Sequence, residues 1–339
     1  MKRDILILRE AEIRNLLDPV AGIAATEKAF TAYSNGQAEL PGVIHLDIPE
    51  SQGEIHIKAG HIHSQPFYAV KIVSGFAGNP ALGLSANDGM VVAFDAHTGA
   101  PAAFLLDNGF ITDFRTGAAG AVSAKYLSKP KISTVAVIGT GVQARFQLEM
   151  LAQVRSFSEV RIWGRDQNKA WQCAEDLGRH RGIPACNFAV VDSVEAAVKP
   201  ADLVITVTAS REPLVQCGWL KAGTTIIAVG SDGPDKQELS AEVLARANKI
   251  VADSLPQCMR LGEIHHAIDA GVISRETVHA ELGEIIAGRK PGRESEDEII
   301  VCDLTGVGVQ DVAAAALVMT RAQEAGKGER ITGSLCLLQ

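Results

Sequence analysis

From Ser133 onward the chain repeats one pattern, in which a short uninterrupted apolar run is followed by an amphipathic stretch. The apolar runs do not alternate with polar residues, so both faces of each strand are expected to be buried. Strands of this kind separated by helices predict a doubly wound parallel sheet, an α/β fold. The runs are TVAVIG, VRIW, CNFAVV, LVITVTA, TTIIAVG, KIVADS and EIIVCDL.

The first of these runs leads into a glycine-rich turn, GTGVQA, which places Gly139, Gly141 and Ala144 at the opening of a helix. A dinucleotide site needs a tight turn, then room for a pyrophosphate against the backbone, then close packing of helix on strand. A second strand follows within about thirty residues, as that site requires. The sequence therefore predicts a Rossmann-type dinucleotide site; the alternative is a tight turn in a domain that binds no nucleotide.

The end of the second strand bears on the choice between NAD and NADP. An acid at this position binds the ribose hydroxyls of NAD, but the run 160–163 is followed by Gly164, Arg165 and Asp166. An arginine after a small residue suits a 2′-phosphate, so NADP(H) is favoured over NAD(H). NAD(H) stays open, because Asp166 could turn toward the ribose and Arg165 could be an ordinary loop charge.

The first 128 residues lack this repeat and mix a helix over 18–35 with alternating, strand-like runs and a hairpin turn over 95–99. An alanine-rich helix after Thr305 could return the chain to this zone. A chain of 339 residues also suggests two domains. We therefore predict a discontinuous α+β domain, 1–128 with 318–339, and a dinucleotide-binding domain, 129–317.

The run EIHIKAGHIHSQPFYAVKIVSGF, which reads as two strands around a turn, contains two lysines, Lys58 and Lys71. If two strands turn at Ser64 and Gln65, Lys58 lies directly opposite Lys71 on one face of the hairpin. Like charges so placed repel. Either this pairing is wrong or an anion belongs between the two ammonium groups.

Two further charged residues lie where ligands gather in such folds. Asp232 follows the strand TTIIAVG, and the carboxyl ends of parallel strands are the usual ligand edge. A carboxylate there could exchange a proton with a substrate, or it could cap a turn. Arg115 opens a helix of small residues and is suited to hold a carboxylate, or it could form a surface ion pair with Asp113.

Composition excludes several classes of partner. The formal charge is −8 and the pI about 5.6, so nucleic acid and anionic membranes are not expected as partners. The N-terminal segment is interrupted by charges, so it is not expected to be a secretion signal. No apolar run in the sequence reaches membrane-spanning length. Six scattered cysteines without a Cys-x-x-Cys pair predict reduced thiols and a cytoplasmic location: Cys173, Cys186, Cys217, Cys258, Cys302 and Cys336.

The histidines do not predict a metal. His61 and His63 share a strand face with no matching acid or cysteine, and the nearby lysines would repel a cation. His265 and His266 lie on a predicted helix, one expected to face the protein and the other water. A Gly-x-Ser-x-Gly elbow is absent from the sequence, so nucleophilic hydrolysis is disfavoured.

Several of these motifs together resemble the ornithine cyclodeaminase and mu-crystallin family, in the family's order and over about residues 68–320. The residues of some segments are also similar to those of family members associated with ectoine utilisation. The matching stretches are KIVSGFAGNPALGL, ITDFRTGAAGAVSAKYL, VAVIGTGVQARFQ, ITVTASREPL, VGSDGPDKQEL, LGEIHHAI and CDLTGVGVQD.

The resemblance implies a homodimer built through the discontinuous domain, with the substrate between that domain and the one that binds a nicotinamide dinucleotide. Lys71 and Arg115 match the family's ligands of the substrate carboxylate, and Asp232 matches its acid/base residue. We count Lys71 with Asp232 as candidate catalytic residues. Further positions match cofactor or active-site contacts: Val142, Gln143, Thr208, Val229, Gly230, Ser231, Lys236 and Thr305.

One segment departs from the family pattern. Many members carry a second carboxylate-binding arginine in the segment that matches 40–46, but here LPGVIHL offers His45. The resemblance leaves open whether Lys58 or His45 takes its place.

The sequence thus predicts an NAD(P)H-dependent reductase that converts a small imino acid to an amino acid, with a hydride added to the C=N carbon and Asp232 as proton donor. An NAD-dependent cyclodeaminase that releases ammonia is the alternative, since it would use the same residues. A ligand-binding protein of the mu-crystallin type, without enzymatic activity, is the third.

Overall fold

The computed structural model describes residues 3–333, which divide into two compact units. One unit contains the chain up to Arg115 together with the chain from Gly308 onward, and the other is Thr116–Val307. One border between the units lies inside the helix Phe110–Leu127, and the other lies at the start of the helix Gly308–Ala325. The sequence predicted these borders at 128/129 and 317/318. Among the described residues, no helix has the length and hydropathy needed to cross a membrane.

The first part of the discontinuous unit consists of strands and helices, and the start of its longer N-terminal helix is marked in the sequence by Asp18 and Pro19. Asp18 accepts a hydrogen bond from the Ala21 amide at 2.9 Å and Pro19 occupies the first helical position, as expected for a helix start. In chain order the elements are β1 (Arg3–Arg9), α1 (Glu10–Leu16), α2 (Pro19–Ser34), β2 (Ala38–Glu39), β3 (Ile44–Ile48), β4 (Gly53–Ile62), β5 (Phe67–Phe76), β6 (Asn87–Asp95), β7 (Pro101–Leu106) and α3 (Phe110–Leu127).

The second unit alternates strands and helices as the apolar runs predicted. The strand β8 (Thr134–Ile138) is buried along its whole length, as both-face burial requires. The other elements are α4 (Val142–Leu151), β9 (Glu159–Trp163), α5 (Gln167–Gly178), β10 (Asn187–Val190), α6 (Val194–Val198), β11 (Leu203–Thr206), β12 (Thr225–Ala228), α7 (Ala241–Arg246), β13 (Lys249–Ala252), α8 (Leu255–Cys258), α9 (Gly262–Asp269), β14 (Ala280–Glu281), α10 (Leu282–Ile286) and β15 (Ile300–Asp303).

The chain then returns to the first unit through α11 (Gly308–Ala325) and β16 (Glu329–Gly333). The sheet of this unit has the order β16-β1-β7-β6-β5-β4-β2, with β3 also paired to β4. Strands β1 and β7 are parallel and the remaining pairs are antiparallel. One face of this sheet packs against α11, which contacts β4, β5 and β6.

The sheet of the second unit is entirely parallel, with the order β10-β9-β8-β11-β12-β15-β13-β14. The order reverses between β8 and β11, which is the switch point where doubly wound sheets bind their ligands. The α/β class, the Rossmann-type sheet and the discontinuous α+β domain predicted from the sequence are confirmed.

The predicted lysine hairpin is also confirmed. Lys58 on β4 is paired directly with Lys71 on β5. Ser64, in the turn, has a positive φ of 67°, a backbone conformation typical of tight turns.

Candidate active site

The discontinuous unit contains a buried cluster of two cations around one carboxylate. Lys71 Nζ lies 3.2 Å from Asp311 Oδ2, and Arg115 Nε lies 3.1 Å from Asp311 Oδ1. All three residues are almost inaccessible, with exposed fractions of 3%, 5% and 2% for Lys71, Arg115 and Asp311. Arg115 therefore does not form the surface ion pair that the sequence left open.

The charges of this cluster set the protonation of its members. The pKa of Lys71 is lowered to about 7, chiefly by burial and also by the charges of Arg115 and Lys58, while Asp311 acts to raise it. Burial alone would raise the pKa of Asp311, but Lys71 and Arg115 outweigh burial and lower it. A carboxylate bound here would favour the ammonium form of Lys71 in the same way.

Gln310 orients the arginine. Its Oε1 accepts a hydrogen bond from Arg115 Nη1 at 3.1 Å, and its amide donates to the Arg115 carbonyl at 3.3 Å. Asp107 caps the helix that carries Arg115, since its Oδ2 accepts from the Ile111 amide at 2.7 Å. Burial raises the pKa of Asp107 to about 7.

His45 and Lys58 lie on the same sheet face as Lys71. His45 is paired with His56, which precedes Lys58 by two residues on β4, and side chains two residues apart in a strand share a face. His45 Nε2 lies 2.9 Å from Asp47 Oδ1 and is partly exposed. Substrate contacts by Lys58 and His45 remain predictions.

The strand pairing assembles a histidine group that spacing along the chain did not show. Ligand atoms of His45, Glu54 and His56 all lie within 4.8 Å of one another. Lys58 and Lys71 lie on this same face and oppose a cation. For that reason our prediction of no metal site is unchanged.

In the second unit, the glycine-rich turn has the backbone that a dinucleotide needs. Gly139 has a φ of 127°, and a Cβ there would lie 2.7 Å from the Val207 carbonyl oxygen, so only glycine fits. Gly141 is the N-cap of α4, Ala144 is fully buried, and Val142 is exposed. The first amides of α4 are thus presented at an accessible helix N-terminus, which fits a phosphate.

Arg145 stabilises the glycine-rich turn through hydrogen bonds, a role that was not predicted from the sequence. Its Nη1 donates to the carbonyl oxygens of Thr140 at 2.9 Å and Gly141 at 3.1 Å. Its Nε donates to Asp176 at 3.0 Å.

The end of β9 explains why no acid follows it directly. A Cβ on Gly164 would lie 2.5 Å from the Thr140 side chain, so a larger residue here would require Thr140 to move. The Asp166 carboxylate caps α5 by accepting from the amides of Asn168 and Lys169 at 2.9 and 3.2 Å. Arg165 is exposed.

Asp232 lies in the loop that follows β12. Its Oδ1 is 2.7 Å from Lys236 Nζ, and its side chain is half exposed, so it is available to a ligand. Ser231 is buried, and its hydroxyl donates to the Lys236 carbonyl oxygen. The cofactor or active-site contacts that the resemblance implies for this loop remain predictions: Val229, Gly230, Ser231, Asp232 and Lys236.

Thr305 follows β15 and is 2% exposed. Its hydroxyl accepts from Gln257 Nε2 at 2.9 Å and donates to Asp253 Oδ1 at 3.0 Å, so this group serves the fold. A substrate contact by Thr305 remains a prediction.

Residues 1–326 match the family model of the ornithine cyclodeaminase/mu-crystallin family. A protein of Sinorhizobium fredii, described as an uncharacterised cyclodeaminase, is 44% identical over 324 residues, which are 95% of this chain and 97% of the relative. The chain belongs to the ornithine cyclodeaminase/mu-crystallin family.

Solved structures of the family match over nearly the whole chain. The Δ1-pyrroline-2-carboxylate reductase of Thermococcus litoralis, in complex with NADH and L-proline, has a TM-score of 0.91 and 33% identity, covering 96% of this chain and 100% of the other. An archaeal alanine dehydrogenase, a dimer with bound NAD, has a TM-score of 0.89 and 37% identity, covering 97% and 99%. The resemblance seen in the sequence is thus confirmed.

Proposed function

We propose that this family member is an NAD(P)H-dependent reductase of a small imino acid. The observation that carries the proposal is the buried cluster of Lys71, Arg115 and Asp311, which is suited to a carboxylate, in a chain that also has a dinucleotide-binding turn. The complex of the Thermococcus litoralis reductase with NADH and L-proline supports it.

Each residue has a defined task in this proposal. Arg115 and the protonated form of Lys71 hold the substrate carboxylate, with Lys58 or His45 assisting. The bound nicotinamide supplies the hydride that reduces the C=N carbon. Asp232 in its acid form gives the proton to the imine nitrogen, so that an amine results and Asp232 is left as the carboxylate.

A cyclodeaminase is the second candidate, and the similarity to the Sinorhizobium fredii protein favours it. It would use the same carboxylate ligands and Asp232, and would release ammonia without net consumption of the cofactor. A ligand-binding protein of the mu-crystallin type would bind its ligand without turnover.

Net consumption of the cofactor separates a reductase from a cyclodeaminase and from a binding protein. Imines formed in solution from keto acids with ammonia or methylamine are expected to consume NADPH or NADH, followed by the nicotinamide absorbance. Asp232→Asn is expected to lower kcat by at least about 100-fold, since a general acid contributes that much. The matched control is Asp235→Asn, an exposed acid in the same loop, which should leave kcat unchanged.

Ammonia released from a diamino acid without net cofactor turnover would contradict the reductase and support the cyclodeaminase. Absence of turnover with every imino and amino acid, with ligand affinity intact in Asp232→Asn, would support the binding protein.

We further propose that NADP(H) is the preferred cofactor, with NAD(H) accepted. The Asp166 carboxylate caps α5, Gly164 leaves no side chain at the ribose position, and Arg165 is exposed next to it. An arginine here would pair with a 2′-phosphate.

Arg165→Ala is therefore expected to raise the KM for NADPH by at least about tenfold, the size of one charge-assisted contact, and the KM for NADH by less than about threefold. Arg181→Ala, an exposed arginine of the same unit, is the control. Equal effects of Arg165→Ala on both cofactors, or a wild-type preference for NADH, would contradict the proposal.

A homodimer is proposed through the sheet face opposite α11. One cross-strand row on this face is apolar: Ile44, Ile57, Ile72 and Met90 are paired in that order across β3, β4, β5 and β6. Ile44 is 59% exposed, and Ile72 and Met90 are each 37% exposed. An exposed apolar row of this kind is typical of a protein interface, and the archaeal alanine dehydrogenase is described as a dimer.

Sedimentation is expected to give twice the chain mass of 35.8 kDa. Ile72→Lys should shift the protein toward the monomer, because an ammonium in an apolar interface is costly. Val20→Lys, which changes an exposed valine on α2, should not. A wild-type monomer, or dissociation by both variants alike, would argue against this face as the interface.

Among the described residues, five cysteines are free, and Cys336 lies outside them. Reduced thiols agree with the proposed cytoplasmic location.

A further inference from the structure

Glu238 joins the ends of two neighbouring strands in the second unit. Its side chain is fully buried, where β11 and β12 end. Oε1 accepts from the Thr208 amide at 2.5 Å and from the Thr208 hydroxyl at 2.7 Å. Oε2 accepts from the Gly230 amide at 2.9 Å. One carboxylate thus links the loop after β11 to the loop that carries Asp232.

The space around Gly230, whose amide donates to Glu238, admits only a glycine. A Cβ on Gly230 would lie 2.6 Å from Glu238 Oε2 and 2.6 Å from the Thr208 amide nitrogen. A side chain at residue 230 would therefore push the two strand ends apart. Gly230 and Glu238 form a matched pair.

The backbone of Glu238 is itself fixed. Its amide donates to the buried Glu263 carboxylate at 2.8 Å, and its carbonyl oxygen accepts from Leu214 and Val215 at 2.8 and 2.9 Å. The backbone hydrogen bonds on both sides of Glu238 thus fix the position from which its side chain extends.

The other end of the Asp232 loop is tied to α9 by its two histidines. His266 Nε2 lies 2.9 Å from the Lys236 carbonyl oxygen, and His265 Nε2 lies 3.1 Å from that of Pro234. Both histidines are half-buried against this loop, and the contact of His265 with Pro234 lies at the surface. The loop is therefore fixed on both sides of Asp232.

The ionised form of Glu238 suits its surroundings. The groups that contact its oxygens from Thr208 and Gly230 are all donors, which a carboxylate satisfies. The pKa of Glu238 is raised to about 7, because burial outweighs the hydrogen bonds from Thr208 and Gly230, which lower it. An amide in place of the carboxylate would direct an NH₂ group at one of these donors.

We propose that Glu238 is the positioning residue that holds Asp232 and the end of β11 in the geometry needed for reaction. This inference rests on the proposed function. Glu238 does not touch the reacting atoms; it acts through Gly230, two residues before Asp232. A misplacement of about 1 Å in such a group costs about 100-fold in rate.

The test compares Glu238→Gln with Glu242→Gln, an exposed glutamate four residues later. Glu238→Gln is expected to lower kcat by about 100-fold. The substrate KM should stay within about threefold, because the carboxylate ligands Lys71 and Arg115 belong to the other unit. In hydrogen–deuterium exchange, the amides of Thr208 and Gly230 should exchange at least about tenfold faster. Glu242→Gln should change none of these.

An unchanged kcat in Glu238→Gln would overturn the inference, and so would a fall in kcat without faster exchange at Thr208 and Gly230. If Glu238→Gln does not fold, Glu238→Asp is judged by the same criteria, since it keeps the charge and shortens the reach by one methylene. If the wild-type protein reduces no imine, the proposed function fails on its own. The exchange rates then decide whether Glu238 holds the two strand ends.

Discussion

One buried carboxylate, Asp311, allows two cations to lie inside the discontinuous unit. Lys71 comes from a central strand and Arg115 from the helix that ends this part of the unit, and both contact the aspartate that returns on α11. Breaking a buried ion group by removing one partner costs about 3–5 kcal/mol. The same ion group therefore links the sheet, α3 and α11 and forms the carboxylate site that we propose. Asp311 holds the Lys71 and Arg115 side chains in place, so less has to be reorganised if a carboxylate binds as proposed.

The second unit uses buried carboxylates in a different way. Glu238, Glu263 and Asp253 each accept backbone amides from loops at the carboxyl edge of the parallel sheet. They accept hydrogen bonds from buried loop amides and so tie these loops to one another. The resulting edge carries the glycine-rich turn and Asp232, to which our proposal assigns cofactor binding and proton transfer. Fixed loops on rigid strands are how such a site keeps its geometry.

Much of this was readable from the sequence, because the signals are local. Apolar runs predicted the parallel sheet, GTGVQA predicted the turn, and hairpin counting placed Lys58 opposite Lys71. Asp311 and Glu238 were missed. Asp311 lies 196 residues after Arg115 along the chain, counting from 115 to 311, and nothing local marks an aspartate in an alanine-rich helix as an ion partner. The role of Asp166 as a cap and the grouping of His45 with His56 also required the folded geometry.

The central claim is that Lys71 and Arg115 recognise the carboxylate of an imino acid. It is tested most directly by comparing kcat/KM for an imino acid and for its carboxamide, in wild-type protein and in Lys71→Ala. Wild-type protein is expected to favour the carboxylate by at least about tenfold, the size of one charge-assisted contact, and Lys71→Ala should lose at least about tenfold on the carboxylate alone. Lys28→Ala, an exposed lysine of the same unit, should behave as wild type. An unchanged kcat/KM in Lys71→Ala, or equal losses on carboxylate and carboxamide, would contradict the account.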